Sequence, residues 1–480
     1  MFPKATCWPA VFFKTEQKTE MDKSKETATG KFEKMPVVHA HAAGIDVGSR
    51  SHFVGVGQNK EDVKEFGVYT DDLHELCKHL VEQGVTTVAL ESTGSYWQPL
   101  FVLLQEYRLD PILVNGKFTK NVKGRKTDVQ DCQWIQKLHT MGMLEGSFIP
   151  DLFTERVRQY YRHRQCLVGS ASSYINKMQK ALRLINIRLD AVLRDVMGRS
   201  GKDIIDAILK GERNAKVLAS LVQPGVKASR AEIESALSGD WREEYIFELR
   251  QCYDLYLYYH QKIDECDEQI KQLLQAEAVR KQKEEGLPLI DKDMKIKKKK
   301  ARKNEPRIDL QRLSAQLSGG VDISAVEGVG LGTILCLLSE VGIDLKSFPT
   351  AKQFASWLRL SPDLKKTGGK IISGKTKKGK NRLARALMYA ANAIGNMKKG
   401  STLVHFFKRI EKKKQRSIAI VATARKLAVI LWNMLVKKQP YNAEPPAEYL
   451  NKIRMNQVKH LQRKIRQLGI HENELTFAMA

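Results

Sequence analysis

Hydrophobic and polar positions alternate along the first part of the chain in a pattern that predicts strands and helices in a fixed order. The short segments AGIDV, SHFVGVG and VKEFGVY are β-rich, are separated by turn-like residues, and predict a three-stranded meander. Helical leucine spacing follows, and two buried strands, TTVALE and PILVN, then alternate with two further helices, the last capped by Thr127. The order βββαβαβα predicts a layered α/β domain over residues 41–150.

From residue 151 to 277 the pattern is almost wholly helical. Between Leu249 and Leu273 large apolar residues and cysteines recur at alternating spacings of three and four, which is a heptad repeat. This repeat predicts a coiled coil over 249–273, formed as a hairpin within the chain or as a seam between subunits. One long helix lying on its own domain is the alternative interpretation.

Three further segments differ in composition. Residues 278–307 include the run KIKKKKARK and few large apolar residues, which indicates a basic, flexible linker or, alternatively, an electrostatic clamp on phosphates. Residues 308–445 have helical patterns around a loop rich in glycine and lysine, and predict a mainly helical C-terminal domain. Residues 446–480 form a basic tail, and residues 1–40 are polar enough to be a mobile tail.

Charge narrows the possible partners. The chain has 480 residues, with 81 Lys and Arg against 54 Asp and Glu, and its formal net charge is +27. This charge requires a polyanionic partner and favours nucleic acid over an anionic membrane. No run approaches about 20 uninterrupted apolar residues, so we expect no membrane-spanning segment. Seven scattered cysteines without a CxxC pair are typical of a reducing cytosol and indicate no disulfide framework and no zinc site.

Four carboxylates are placed where a metal site can form. Asp46 ends the first strand, Glu91 ends the strand TTVALE, and Asp128 and Asp131 lie one helical turn apart. Converging carboxylates repel one another unless a cation neutralises them, and hard oxygen ligands select Mg²⁺ or Mn²⁺. Taken singly, each of these residues could instead be a turn or cap residue.

Basic residues precede the third carboxylate. Lys123, Arg125 and Lys126 stand directly upstream of Asp128, where they would face the same phosphate backbone that the metal ions engage.

The stretches that carry these residues resemble a known family. GIDVGSRSHFVGV, ESTGSYWQPL and VNGKFTKNVKGRKTDVQDCQWIQKLHTMGMLEGSFIP are similar to the DEDD domain of IS110/IS1111-type transposases. That resemblance implies a RuvC-like, ribonuclease H-like fold. It also implies that Asp46, Glu91, Asp128 and Asp131 are the catalytic, metal-binding tetrad.

The C-terminal domain is similar to the second transposase domain of the same family. The turn GVGLG, before an apolar helix, resembles a helix-hairpin-helix element that holds a DNA phosphate. Between Asp363 and Glu411 there are thirteen Lys or Arg and no acid, which favours direct phosphate contact. The residues expected to make that contact are Lys370, Lys375, Lys377, Lys378 and Arg382.

The resemblance also implies a hydroxyl nucleophile in this loop. The family places a serine before the glycine of an S-G-[GE]-K-like motif, and in KKTGGK that position is Thr367. A threonine is β-branched and more crowded, so this is a departure from the family pattern. Ser373 is the nearest alternative nucleophile.

The sequence as a whole indicates a DNA transposase or recombinase that acts by metal-assisted transesterification. The family resemblance further implies double-stranded donor and target DNA, a bridge or guide RNA, and a homo-oligomer, a dimer or a tetramer. We expect it in the bacterial cytoplasm, associated with the nucleoid. A RuvC-like nuclease without a covalent intermediate, and a catalytically decayed nucleic-acid-binding protein, are the alternatives.

Overall fold

The structure is a computed structural model that describes residues 36–116, 127–286, 296, 299–379, 381–398 and 400–469. It divides into two compact units, one ending at Ile149 and the other beginning at Pro150. Each unit has its own core.

The first unit is built on a mixed five-stranded sheet. Its strands are β1 (Ala42–Val47), β2 (His52–Gly55), β3 (Val63–Phe66), β4 (Thr87–Glu91) and β5 (Asp110–Val114), in the spatial order β3-β2-β1-β4-β5. The first three strands are antiparallel, and β1, β4 and β5 run parallel. The helices are α1 (Thr70–Glu82), α2 (Trp97–Glu106) and α3 (Asp128–Thr140). The predicted order βββαβαβα is confirmed.

The two faces of this sheet are covered differently. Ile45 and Leu90 belong to the fully buried core that the strands share with α1 and α2. The opposite face is covered by α3, which packs so closely that a Cβ added to Gly44 would collide with the α3 backbone at Cys132 and Gln136. Only glycine permits this approach, because it has no Cβ.

The second unit begins with two long helices that pack along each other. They are α4 (Leu152–Leu184) and α9 (Glu243–Glu285), which contain 33 and 43 residues. Between them the chain forms α5 (Leu189–Val192), α6 (Arg199–Leu209), α7 (Ala215–Ser220) and α8 (Arg230–Ala236). Residues of the heptad are buried against α4 of the same chain. Helix α9 continues to Glu285, inside the segment 278–307.

A buried ion pair joins these two helices. The guanidinium of Arg164, 1% exposed, donates to Asp267 through Nε at 2.6 Å and Nη2 at 3.1 Å. Nearer the other end of the pair, the guanidinium of Arg242 donates to the carbonyl of Leu184. The first contact pairs an earlier residue of α4 with a later residue of α9, and the second pairs the end of α4 with the start of α9, so the two helices run antiparallel.

The rest of the second unit is mainly helical, as predicted. Its helices are α10 (Leu310–Leu317), α11 (Leu331–Glu340), α12 (Ala351–Trp357), α13 (Arg382–Gly395), α14 (Thr402–Lys413), α15 (Arg416–Lys437) and α16 (Pro446–Gln467). Between α12 and α13 lies a two-stranded antiparallel hairpin, β6 (Lys365–Thr367) and β7 (Lys370–Ser373).

Helix α15 is, by length and composition alone, apolar enough to cross a membrane. A search for an uninterrupted apolar run misses it because Arg425 and Lys426 interrupt the sequence. Half of its apolar window is buried in the unit, where α15 packs against α12, α13 and α14. Core packing therefore accounts for the buried half of this helix.

Candidate active-site residues

Asp46 and Glu91 lie beside each other at the carboxyl ends of two neighbouring parallel strands. Ile45 of β1 pairs with Leu90 of β4, so the next residue along each strand is one of the two acids. Side chains alternate along a strand, so both acids point to the face that carries Gly44. That is the face covered by α3.

Asp128 and Asp131 occupy the first turn of α3. The side chain of Thr127 caps this helix, its Oγ1 accepting from the backbone N–H of Gln130 at 3.3 Å. Carboxylates near a helix N-terminus are stabilised by the positive end of the helix dipole. The predicted cap is therefore confirmed, and both acids lie where their charge is tolerated.

The direction of α3 brings its first turn to the same edge of the sheet. Gln136 donates to the carbonyl of Ala42 at the start of β1, and Cys132 lies over Gly44, further along the strand. Burial raises the pKa of the Cys132 thiol to about 12, and the nearby carboxylate of Asp46 contributes to the shift. The start of α3 thus extends toward the strand end that carries Asp46.

The four carboxylates fit a divalent cation by donor type, because oxygen ligands suit Mg²⁺ and Mn²⁺. Asp46, Glu91 and Asp131 are half-buried and Asp128 is exposed, as expected of a site open to a substrate. Within the described residues, no three Asp, Glu, His or Cys side chains converge closely enough to form a finished metal cage. Binding an ion therefore requires side-chain movement. Gly116, after β5, packs against the Glu91 carboxylate, where a Cβ would collide.

Thr367 lies at the tip of the β6–β7 hairpin. The two residues that follow it, Gly368 and Gly369, have φ of 54° and 76°, as a type I′ turn requires. Thr367 pairs with Lys370 across this turn, and both side chains are exposed. The segment predicted as a loop is therefore an ordered turn, and the two-residue Gly-Gly signal in the sequence could have identified it.

Ser373 lies at the base of the same hairpin. It is half-buried, and its Oγ accepts from the backbone N–H of Lys375 at 3.4 Å. No Asp, Glu or His side chain of the described residues hydrogen-bonds to the hydroxyl of Thr367 or of Ser373. The second unit thus carries both candidate nucleophiles on one hairpin, the Thr367 hydroxyl at its tip and the Ser373 hydroxyl at its base.

The predicted nucleic-acid-binding residues have different surroundings. Four lysines of the hairpin region are exposed: Lys370, Lys375, Lys377 and Lys378. Arg382, at the start of α13, is half-exposed and has its Nε 3.9 Å from a carboxylate oxygen of Glu340. Lys123, Arg125 and Lys126 lie outside the described residues.

Glu340 is a buried acid that sequence reasoning missed. It ends α11, and its carboxylate accepts from the Nε of Arg162 at 3.1 Å and from its Nη2 at 2.8 Å. Arg158 donates to the backbone carbonyl of Glu340 at 2.7 Å. An acid at the end of the apolar run LGTILCLLSE was the available signal, because buried acids are almost always paired. The arginine partners come from α4 and α13, far away in sequence.

The turn GVGLG before α11 is supported by residues of the segment 278–307. The ammonium of Lys299 donates to the backbone carbonyls of Ser324 and Val329 at 2.5 and 2.7 Å. The carboxylate of Glu305 accepts from the N–H of Gly332 at 3.4 Å, in the first turn of α11. The part of this segment nearest α10 is therefore packed against the turn.

Comparisons with known proteins identify the family. A family model described as "Transposase" (DEDD_Tnp_IS110) matches residues 43–187, and a second, "Transposase IS116/IS110/IS902 family", matches residues 322–405. The chain belongs to the IS110/IS1111 family of transposases. The fold resemblance is confirmed with it, because the first unit is the ribonuclease H-like DEDD domain.

Three curated proteins are similar to this chain over part of their length. A "Probable family 20 transposase" of Pseudomonas aeruginosa is 29% identical over 27% of this chain and 40% of its own. The "Insertion element IS110 uncharacterized 43.6 kDa protein" of Streptomyces coelicolor is 32% identical over 26% of this chain and 31% of its own. The "Transposase for insertion sequence element IS1111A" of Coxiella burnetii is 28% identical over 25% of this chain and 33% of its own. The matches thus span less than half of each relative.

Membership in the IS110/IS1111 family implies use of a divalent metal. In this chain the oxygen donors that fit such an ion are the four carboxylates at the edge of the sheet. They belong to the first unit, whereas both candidate hydroxyls belong to the second.

Proposed function

We propose that this protein cuts and rejoins DNA strands by metal-assisted transesterification. The observation that carries the proposal is the meeting of Asp46, Glu91 and the first turn of α3 at one edge and on one face of the sheet. A bound Mg²⁺ or Mn²⁺ would polarise the scissile phosphate and stabilise charge on the oxygen that leaves. Asp46, Glu91, Asp128 and Asp131 would hold it.

The attacking group in this proposal is the Thr367 hydroxyl. Its Oγ forms a bond to phosphorus, the bond from phosphorus to the leaving strand's oxygen breaks, and that strand ends in a hydroxyl that takes up a proton. Attack by a hydroxyl of another strand reverses the step and rejoins the DNA without external energy. The exposed position of Thr367 at a hairpin tip leaves room for a duplex, and Lys370 directly opposite it would offset the charge of the phosphate.

The partners proposed are double-stranded donor and target DNA, a guide RNA and further copies of the chain. The net charge of +27 supports a polyanionic partner, and the acid-free stretch that contains the hairpin concentrates that charge near the proposed nucleophile. The RNA and the oligomer rest on the family alone. Strand cleavage that depends on addition of an RNA transcribed from the DNA flanking the gene would support the RNA.

The experiment that tests the nucleophile is the trapping of a covalent protein–DNA adduct. The wild type and the variants Thr367→Ala and Ser373→Ala are incubated with labelled duplex and Mg²⁺, denatured, and separated by electrophoresis. We expect an adduct with the wild type and with Ser373→Ala, and none with Thr367→Ala.

Other results of this experiment distinguish the alternatives. An adduct that persists in Thr367→Ala and is lost in Ser373→Ala would move the nucleophile to the base of the hairpin. Mg²⁺-dependent cleavage without any adduct would favour a hydrolytic nuclease. Salt-sensitive binding without cleavage would favour a non-catalytic nucleic-acid-binding protein.

A further inference from the structure

A cleft of about 1300 Å³ opens beside the hairpin, within the second unit. Its walls come from β7 and the residues after it, from the start of α12, and from the outer face of α15. The floor is largely apolar and includes Leu360, Phe406, Val421, Ala422 and Val429. Small-molecule sites of about 300–1,000 Å³ bury most of a drug-sized ligand, so this cleft has room for one or two nucleotides.

The rim of this cleft is strongly basic. Five cations line it, and no Asp or Glu does; the cations are Lys352, Lys375, Lys414, Arg425 and Lys426. None of the five is ion-paired with an acid of the chain where the structure describes it. A solvated surface usually mixes charges of both signs. An apolar floor with a basic rim that includes no carboxylate complements a ligand that is flat and apolar at one end and anionic at the other.

Two aromatic rings lie close to one of these cations. The Nζ of Lys426 lies 4.7 Å from the ring centre of Phe406 and 5.2 Å from that of Tyr449. Burial lowers the pKa of this ammonium, because the charged form loses hydration there. A partly desolvated cation beside an aromatic ring gains more from an anion than a hydrated surface lysine does. Ser373, at the base of the hairpin, also lines the cleft.

We propose that this cleft holds an unpaired nucleotide of the DNA strand undergoing exchange, with its base on the apolar floor and its phosphate on the basic rim. The choice of a DNA strand rests on the proposed function, because the cleft adjoins the hairpin that carries the nucleophile. Strand exchange requires bases to leave their duplex, and an unstacked base exposes an apolar face that needs cover. Stacking of bases on protein side chains depends little on the DNA sequence, because every base has a flat face.

The test compares single strands that differ only in their bases. Binding of the full-length protein is measured by fluorescence anisotropy, without divalent ion, to a labelled DNA strand and to a strand with the same phosphates but abasic central positions. We expect the base-containing strand to bind about tenfold more tightly, as expected for one stacked base. Val421→Phe fills the cleft and should remove that preference. Val436→Phe, on the same helix outside the cleft, should keep it.

A second pair of variants tests the rim. It keeps the proposal testable if Val421→Phe does not fold. Arg425→Gln should weaken binding of the base-containing strand severalfold, whereas Lys437→Gln removes one charge from the same helix away from the cleft and should have less effect. 2-Aminopurine in the central position should change its fluorescence on binding the wild type and not on binding Val421→Phe.

Three results would overturn the proposal. They are equal binding of the two strands by the wild type, an undiminished preference in a folded Val421→Phe variant, and a base preference that RNA strands show and DNA strands do not. The measurement needs neither metal nor nucleophile, so it is separate from adduct trapping. A protein that prefers base-containing DNA but forms no adduct would retain the cleft as a nucleotide site and lose the proposed chemistry.

Discussion

The two sets of candidate catalytic residues are held by opposite kinds of structure. Asp46 and Glu91 follow the buried residues of inner strands, and α3 is pressed onto those strands through contacts that exclude even a Cβ at Gly44. Thr367 lies on an isolated two-stranded hairpin whose side chains are exposed except for the half-buried Ser373, with Ile371 at 60% and Ile372 at 69%.

This difference matches what each set is proposed to do. Metal-binding carboxylates must be held within a fraction of an ångström of a common geometry, which packed strands and helices provide better than loops. A nucleophile that becomes attached to DNA must move with its strand during exchange, and low local stability permits that. The rigid edge should therefore respond to substitution through folding and metal binding, and the hairpin through activity alone.

The largest expected effect is on chemistry at the rigid edge. Asp46→Asn replaces a carboxylate by a weakly coordinating amide, and should reduce both strand cleavage and adduct formation by about a thousandfold. It should also reduce the rise in melting temperature that Mg²⁺ gives to the wild type, since a weaker site stabilises less. Asp71→Asn, an exposed acid of α1, is the control and should leave both readouts unchanged. If Mg²⁺ raises the melting temperature of Asp46→Asn as much as that of the wild type, Asp46 does not bind the metal ion.

The next effect tests the packing that supports this edge. Gly44→Val places a branched side chain against the backbone of α3, and should lower the free energy of unfolding of the first unit by about 3 kcal/mol. Denaturant unfolding checks this value. Gly146→Ala, whose added Cβ would meet Ile112 at an ordinary 3.5 Å, should change it by less than about 0.5 kcal/mol. Equal effects of the two variants would contradict the close approach of α3.

The hairpin should respond in the opposite way. Replacing Gly368 and Gly369 by alanine forces L residues into positive φ, at a cost of about 1–2 kcal/mol each to the hairpin. Because the hairpin is exposed, the melting temperature should hardly change, whereas adduct formation should fall by at least about tenfold as the turn loses its population. Gly368→Asn retains a residue that tolerates positive φ and should stay near the wild type. A large loss of global stability would show that the hairpin is part of the core.

Local patterns were enough to predict the order of elements in the first unit and the cap at Thr127. Alternation of apolar and polar residues, leucine spacing and helix capping are short-range signals, and the first unit contains the strands, helices and cap that they predicted. The sequence also predicted which acids follow strands, and the register of β1 against β4 now places two of them side by side. Tertiary pairings could not be read in the same way. Glu340 meets Arg162 across 178 positions of sequence, and no local periodicity encodes such a contact.

The smallest expected effect concerns pH and again separates the rigid edge from the hairpin. His139 of α3 is buried and shares a hydrogen bond of 2.9 Å with Thr87 of β4. Burial, with a smaller contribution from His39, lowers its pKa to about 4. The unfolded chain binds a proton at this residue below pH about 6.5, and the folded chain does so only below about 4. The unfolded state is therefore favoured progressively as the pH falls between these values, and the first unit loses stability.

His139→Gln removes this titration, so the difference in unfolding midpoint between pH 7 and pH 5 should be smaller than in the wild type, by an amount equivalent to at most about 2 kcal/mol. Burial also lowers the pKa of His52, which leaves a residual pH dependence in the variant. His41→Gln, at an exposed position before β1, is the matched control and should keep the wild-type difference. An unchanged pH dependence in His139→Gln would mean that α3 admits a charged imidazole, and that the rigid edge is looser than its contacts indicate.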